Sequence, residues 1–419
     1  MVVGQQFRYF TEISLFHRKR TNTCQTVPDS TPLSTSLDWV ANVTGLPDQH
    51  SNPQPTRSTD HVDQRKSVAS DQSVASDLDD GYAVFSVNRL PNDSLQHSKH
   101  PSSNDHPQTT LVQMTQDGTA IKTIIGLGEI LWDIFPDSAK FGGAPANFAC
   151  SVAGLKTIPA EAYMLSAVGK DSLGQQAIQA LSDHDVRTDA IQQNAKATGQ
   201  VNVTLDEHGS ASYEFAADAA WDNFSWSDSL ADLAAKADAV CWGTLGQRCQ
   251  PSQDVIQKFV AATPPDCLRV LDINLRSPFW NQSVLKESLP MANVLKCNED
   301  ELPVLSQVFE IDGDDRSVLL QLKQRFGLKL VALTRGGRDS MLLQEDEQTR
   351  DLEISQLPAI PAEVVDTVGA GDCFTAAIVL GMLGKMRLTD LHQWACQVSA
   401  YVCSQSGATP TFPADLSQP

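Results

Sequence analysis

Between Asp366 and Phe374 the chain reads DTVGAGDCF, and an apolar stretch of helical length follows, up to Leu383. Glycines at 369 and 371 permit backbone angles that turn successive N–H groups into one concavity. The start of a helix adds partial positive charge there. Such a nest holds an anion, typically a phosphoryl group. Asp372 stands beside it, and a carboxylate in that place can take the proton of an attacking hydroxyl. Together these residues describe phosphoryl transfer from a nucleotide to an alcohol. Asp372 would act as the base, and the amides of Gly369, Ala370 and Gly371 as the anion hole. The plain alternative is a glycine turn in which Asp372 only stabilises a helix N-terminus. Cys373 follows directly but has no histidine nearby to activate it, so it reads as helix packing.

The elements that must position this stretch are legible upstream. From Ile121 onward short apolar runs alternate with amphipathic ones. "IKTIIGLG" is followed by a helix after "GGAPANFA", then "EAYMLSAVG", a helix from Ser172, "ADAVCWG" and a helix from Ser252. "RVLDIN", "NVLKCN", a helix from Glu299 and "KLVALT" complete the series. This rhythm predicts an α/β fold, a mostly parallel central sheet flanked by helices. Active sites in such folds lie beyond the carboxyl ends of the strands. One section departs from the rhythm. Thr198 to Phe215 shows two alternating strands around Glu207-His208-Gly209, a hairpin signal. With a strand near Ile130 to Phe135 it predicts a small β-sheet lid, built from segments near 130–136 and 198–216.

Bulk properties narrow the partners. The 419 residues suffice for a sizeable core, and a net charge of -20 argues against nucleic acid or an anionic membrane. A nucleotide can still bind through local amides and a metal ion. No uncharged apolar run reaches the length of a membrane span, since Asp366 and Asp372 interrupt the best candidate. No apolar signal segment stands near the N-terminus. The nine cysteines include no C-x-x-C pair, which suits a reducing cytoplasm and neither a disulfide framework nor a zinc site.

Residues 1–119 differ from the rest. They are rich in Ser, Asp, Gln, Asn, Thr and Pro, repeat "SVASD" within Ser67 to Asp77, and lack apolar periodicity. Such a segment cannot offset its ordering entropy, and the expectation is a disordered extension before a single domain at 120–414. Met114 is a candidate true start; a regulatory tail is the rival reading.

Two other phosphate-binding fingerprints are absent. "VGKDS" at Val168 lacks the upstream glycine and the hydroxyl after lysine of a P-loop, and "GLGEIL" at Gly126 ends in Leu131 where a dinucleotide motif needs glycine.

The ordered set of motifs resembles the ribokinase-like, or PfkB, family of sugar and nucleoside kinases. "DTVGAGDCF" is similar to its C-terminal signature, and "FGGAPANFACSVAGLK" from Phe141 to its N-terminal one. "AVGKDSLG", "KCNEDEL" and "LTRGGRDS" follow in the family's order, covering roughly Ile121 to Pro410. "GEILWDIFP" and "DINLRSPFW" more closely resemble the fructokinase branch.

The resemblance implies a ribokinase-like fold and a set of roles. Asp133, Gly142, Gly143 and Asn147 would hold sugar hydroxyls, which need both donors and acceptors. For the two glycines the competing reading is a tight turn before a helix. Asp171 would lie near the sugar, or merely cap the next helix. Arg276 would meet a phosphate or sugar, or form a structural ion pair. Asn298 and Glu301 would organise Mg²⁺ through water together with the triphosphate, although N-x-x-E is also a capping box. Thr334, Gly336 and Gly371 would contact the nucleotide, and Arg335 interrupts that turn. Asp366 and the "SQSGATP" loop at Ser404 resemble a monovalent-cation site, here K⁺. ATP is the implied donor and fructose the first acceptor. Ribose, 2-keto-3-deoxygluconate or a nucleoside are alternatives, as is a non-catalytic sugar-binding regulator. Trp132 is a bulky side chain expected to crowd the pocket, and lids paired between subunits would make a homodimer.

Overall fold

The computed structural model describes residues 83–87, 110–115, 118–205, 211–346 and 349–417. Two antiparallel strands come first, β1 (Ala83–Val87) and β2 (Thr110–Met114), with Ala83 opposite Met114. They fall inside the segment expected to lack order. Met114, the candidate start, ends β2 and bridges to Ala120. Most of residues 1–109 lie outside the described residues, as does the expected Glu207-His208-Gly209 turn.

The remaining strands are β3 (Lys122–Leu127), β4 (Leu131–Ile134), β5 (Ala139–Gly142), β6 (Ala160–Gly169), β7 (Ile191–Asn194) and β8 (Gly199–Leu205). After them come β9 (Ala211–Phe215), β10 (Ala239–Trp242), β11 (Leu268–Asp272) and β12 (Val294–Asn298). β13 (Leu330–Thr334), β14 (Asp339–Glu345) and β15 (Leu352–Pro358) complete them. The helices are α1 (Ala144–Leu155), α2 (Ser172–Asp183), α3 (Asp228–Ala234), α4 (Gln250–Ala261) and α5 (Gln282–Ser288). α6 (Leu302–Phe309), α7 (Asp315–Phe326), α8 (Ala370–Leu383) and α9 (Leu388–Cys403) follow.

Nine strands form the main sheet in the order β15-β14-β13-β12-β11-β10-β3-β6-β7. All neighbours from β13 to β7 run parallel, and only the edge strands β14 and β15 are antiparallel. A parallel sheet with helices on both faces must be apolar on both. β10 shows this directly: Ala239, Val240, Cys241 and Trp242 are all buried. Alternate residues feed two core layers. Ile124, Met164 and Cys241 pack with α1, α8 and α9, whereas Ile125, Val240 and Trp242 pack with α4, α6 and α7. α8 is buried continuously from Cys373 to Gly381. It is therefore an inside helix, which accounts for its lack of a polar face.

The lid is a separate four-stranded sheet, β5-β4-β8-β9, in which β4 pairs antiparallel with β5 and parallel with β8. Successive side chains of β4 point to opposite faces. Leu131 joins a small cluster with Val201, Trp221 and Leu245, while Trp132 joins the main core. Trp132 donates its indole N–H to Leu173 O at 3.1 Å and meets Phe141 edge-on. The expectation that Trp132 crowds the pocket is thereby corrected: strand alternation sends it into the core, and Asp133 takes the other side.

Candidate active site

Several residues singled out by type and spacing gather, together with others that were not, beyond the carboxyl ends of the parallel strands. Asp272, Asn298 and Thr334 are the last residues of β11, β12 and β13. The N-termini of α1 and α8 meet them there. Gly369 caps α8 with φ 80°, and a Cβ added there would lie 2.6 Å from Ala408 O. Only glycine takes this turn without strain. Ala370 N–H donates a long bond to Thr367 O at 3.3 Å. The Gly371 amide stands in the first turn, where a helix supplies no acceptor of its own.

Asp372 is the acid of that first turn, and Asn147 Nδ2 on α1 donates to its Oδ2 at 2.8 Å. Burial raises the Asp372 carboxyl to about 6, and the charge of Asp272 adds to the rise. The bond from Asn147, with Lys296 and Arg276, opposes it. A carboxyl so tuned is ionised near neutrality yet basic enough to take a proton. Asn147 itself is buried, and its Oδ1 has no partner among the described residues.

The residues expected to hold a sugar assemble around the start of α1. Gly143 caps this helix at φ 114°, and a Cβ there would come 2.5 Å from Glu129 O. Asp133 Oδ2 lies near Gly142, 3.7 Å from where a Cβ would stand. Burial raises the Asp133 carboxyl, against the pull of Arg276 and Lys140. Arg276 leaves β11 and donates to Leu275 O at 3.1 Å, and its charge acts on Glu129, Asp133 and Asp372 alike. Asp171 caps α2 through Gly174 N–H at 2.8 Å and accepts both the amide and hydroxyl of Thr198. The capping reading of Asp171 is thus seen directly, with an added tie to Thr198, the residue before lid strand β8.

On the nucleotide side Asn298 and Glu301 bond reciprocally. Asn298 N–H donates to Glu301 Oε2 at 2.9 Å, and Glu301 N–H to Asn298 Oδ1 at 3.0 Å. The reciprocal bonds of the capping-box pattern are thus present, but in the turn ahead of α6, which begins at Leu302. Glu301 Oε1 also accepts Leu275 N–H at 2.9 Å, so each carboxylate oxygen already holds a backbone amide. Burial raises this carboxyl while Lys296 opposes the rise. Such a group fits a metal ion through water better than by direct ligation. Among the described residues no cluster of three or more His, Cys, Asp or Glu is placed to hold a metal. Gly336 adjoins Glu299, and Thr334 O accepts Glu299 N–H at 3.0 Å. Arg335 is held bidentately by Asp339 and again by Asp315.

Three buried charged residues were not singled out from the sequence. Lys296, inside β12, pairs with Asp272 at 3.0 Å, and Thr375 on α8 donates to the other Asp272 oxygen at 2.8 Å. A Cβ on Gly371 would meet Lys296 Nζ at 2.9 Å, so this ammonium lies directly beneath the first turn of α8. Burial disfavours its charge, but Asp272, Glu301 and Asp372 outweigh that and hold it above the usual lysine range. Glu129, 3% exposed, is pushed up to about 7 by burial, and its Oε2 has no partner among the described residues. A lysine or glutamate inside an apolar run was the available signal, since such residues are seldom buried unless paired.

Two glycine turns at helix starts and a tuned carboxylate between them are the arrangement that phosphoryl transfer to an alcohol calls for. The pfkB family carbohydrate kinase model matches residues 137–415, and the chain belongs to that family. It is 29% identical over 310 residues to the sugar kinase PH1459 of Pyrococcus horikoshii, covering 69% of this chain and 92% of that one. The crystal structure of PH1459 superposes with a TM-score of 0.58 at 28% identity, over 69% of this chain and 94% of that one. The fructokinase of Klebsiella pneumoniae is 28% identical, covering 61% of this chain and 83% of its own. An ATP-dependent 6-phosphofructokinase of Thermoanaerobacterium thermosaccharolyticum is 27% identical, covering 69% and 90%. Among the described residues no helix is long and apolar enough to cross a membrane.

Proposed function

We propose that this carbohydrate kinase transfers the γ-phosphoryl group of ATP to a hydroxyl of a small sugar, with fructose the first acceptor. The observation that carries the reading is the Asp372 carboxylate, set at the N-terminus of α8 and bonded to Asn147 on the helix that begins at the Gly142-Gly143 turn. Asp133, Gly142, Gly143 and Asn147 would hold the sugar, and Asp171 would support it through the lid strand. Asp372 would take the hydroxyl proton as the oxygen attacks the γ-phosphorus and the bond to ADP breaks. Gly369, Ala370 and Gly371 would face the transferring group. Thr334, Gly336 and Asn298 would hold the nucleotide. Mg²⁺, entering with ATP and reached by Glu301 through water, would neutralise phosphate charge. A relative of known structure, PH1459, was crystallised in complex with ATP. That supports ATP as donor here.

Arg276 favours a second reading of the acceptor. Its charge acts on Glu129, Asp133 and Asp372 and its guanidinium donates to Leu275 O, so it could also meet an acidic sugar. Turnover of ATP with fructose, ribose, 2-keto-3-deoxygluconate, fructose 6-phosphate and adenosine separates the readings. Fructose should give the highest kcat/KM. Preference for an anionic acceptor, lost in Arg276→Ala, would replace fructose by an acidic sugar.

A further inference from the structure

The carboxylate expected to hold a monovalent cation already holds an ammonium. Asp366 Oδ1 accepts Val368 N–H at 3.1 Å, while its Oδ2 accepts Gly407 N–H at 3.3 Å and pairs with Lys140 Nζ at 3.4 Å. An alkali cation on that oxygen would set a second positive charge against the lysine. Asp366 and K⁺ therefore do not fit together while Lys140 stands there.

The lysine comes from a telling place. It lies in lid strand β5, two residues before Gly142, and reaches across 226 residues of chain. Asp366 lies three residues before Gly369, in the loop that delivers the anion hole. One ion pair thus ties the lid and the sugar turn to the loop that meets the phosphoryl group. Lys140 also lies 5.6 Å from the centre of the Phe135 ring on the same lid, a contact that restrains its long side chain. Without a cation, the Asp366 charge would face the incoming phosphates.

We propose that Lys140 delivers, from the lid, the positive charge that a monovalent cation would supply at Asp366, so that the kinase works without K⁺. The proposal rests on the sugar-kinase reading above for its activity arm only.

The test compares the full-length wild type with Lys140→Met and Lys140→Arg, replacing KCl by tetramethylammonium chloride at constant ionic strength. Phosphorylation by the wild type and Lys140→Arg should not respond to K⁺. In Lys140→Met, K⁺ should raise turnover at least about fivefold, the lower end of ordinary coupling between an effector and a site. The second arm needs no substrate. K⁺ should raise the melting temperature of Lys140→Met saturably, as any ligand selective for the native state does, and leave the other two unmoved. K⁺ activation or stabilisation of the wild type would overturn the proposal, and so would a Lys140→Met protein indifferent to K⁺ in both arms. If no acceptor is phosphorylated by any form, the kinase reading fails and the melting arm still decides the role of Lys140.

Discussion

Asn147 and Asp372, 225 residues apart in the chain, meet through one hydrogen bond of 2.8 Å between α1 and α8. Both helices begin at a glycine in the left-handed region, Gly143 and Gly369. The bond therefore fixes the glycine turn before α1 against the one before α8.

It also sets a pH dependence. A base must be ionised, so kcat should rise with pH through about 6, the value to which burial lifts Asp372. The bond from Asn147 lowers that value. Asn147→Leu removes it, and the acid limb of the kcat profile should move to higher pH, with a larger loss at pH 6 than at pH 8. A limb left in place would show that Asn147 does not tune the base.

Beneath the first turn of α8, Lys296 neutralises Asp272 and lies close to Glu301 and Asp372. Removing one partner of a buried pair leaves an uncompensated charge, at a cost of about 3–5 kcal/mol. Lys296→Met should lose stability on that scale in urea unfolding, and adding Asp272→Asn should recover part of it. A loss below about 1 kcal/mol, typical of an exposed pair, would contradict this assignment.

Gly369→Ala tests the turn itself. Its φ of 80° and the 2.6 Å approach to Ala408 O leave no room for a methyl group. The helix start must shift, and kcat should fall by about 10²-fold, the effect of losing one oxyanion donor. Unchanged kcat would mean that this turn does not shape the anion hole.

Far from the site, His392 is fully buried between Ser340 and Ser355, bonded at 2.8 and 2.7 Å. Burial lowers its pKa from 6.5 to about 4. Below pH 6.5 the unfolded chain binds a proton that the folded one refuses, so this contribution to stability is full above 6.5 and lost as pH falls towards 4. The slope is at most about 1.4 kcal/mol per pH unit. His392→Gln should flatten the melting temperature between pH 6.5 and 4; an equal slope in both proteins would remove His392 as the cause.

The fold was legible because a buried parallel sheet demands unbroken apolar strands such as Ala239–Trp242, and because the lid strands alternate. Gly369 and Asp372 stood out for a related reason, since a glycine turn before an apolar helix is a local signal, whereas Asn147 was reached only through the family resemblance. Lys296 and Glu129 were missed because their meaning lies in partners distant along the chain, Asp272 and the start of α1. Trp132 was misplaced because a pocket was assigned before the strand's alternation was followed through. β1 and β2 escaped notice within a polar segment whose composition hides a short pairing.

The central claim is that Asp372 takes the proton of the sugar hydroxyl. The most direct test measures kcat and calorimetric sugar affinity for wild type and Asp372→Asn. The account predicts a fall in kcat on the order of 10²–10⁴, the usual worth of a positioned base, with sugar affinity held within about threefold. An Asp372→Asn protein that turns over at the wild-type rate would contradict it.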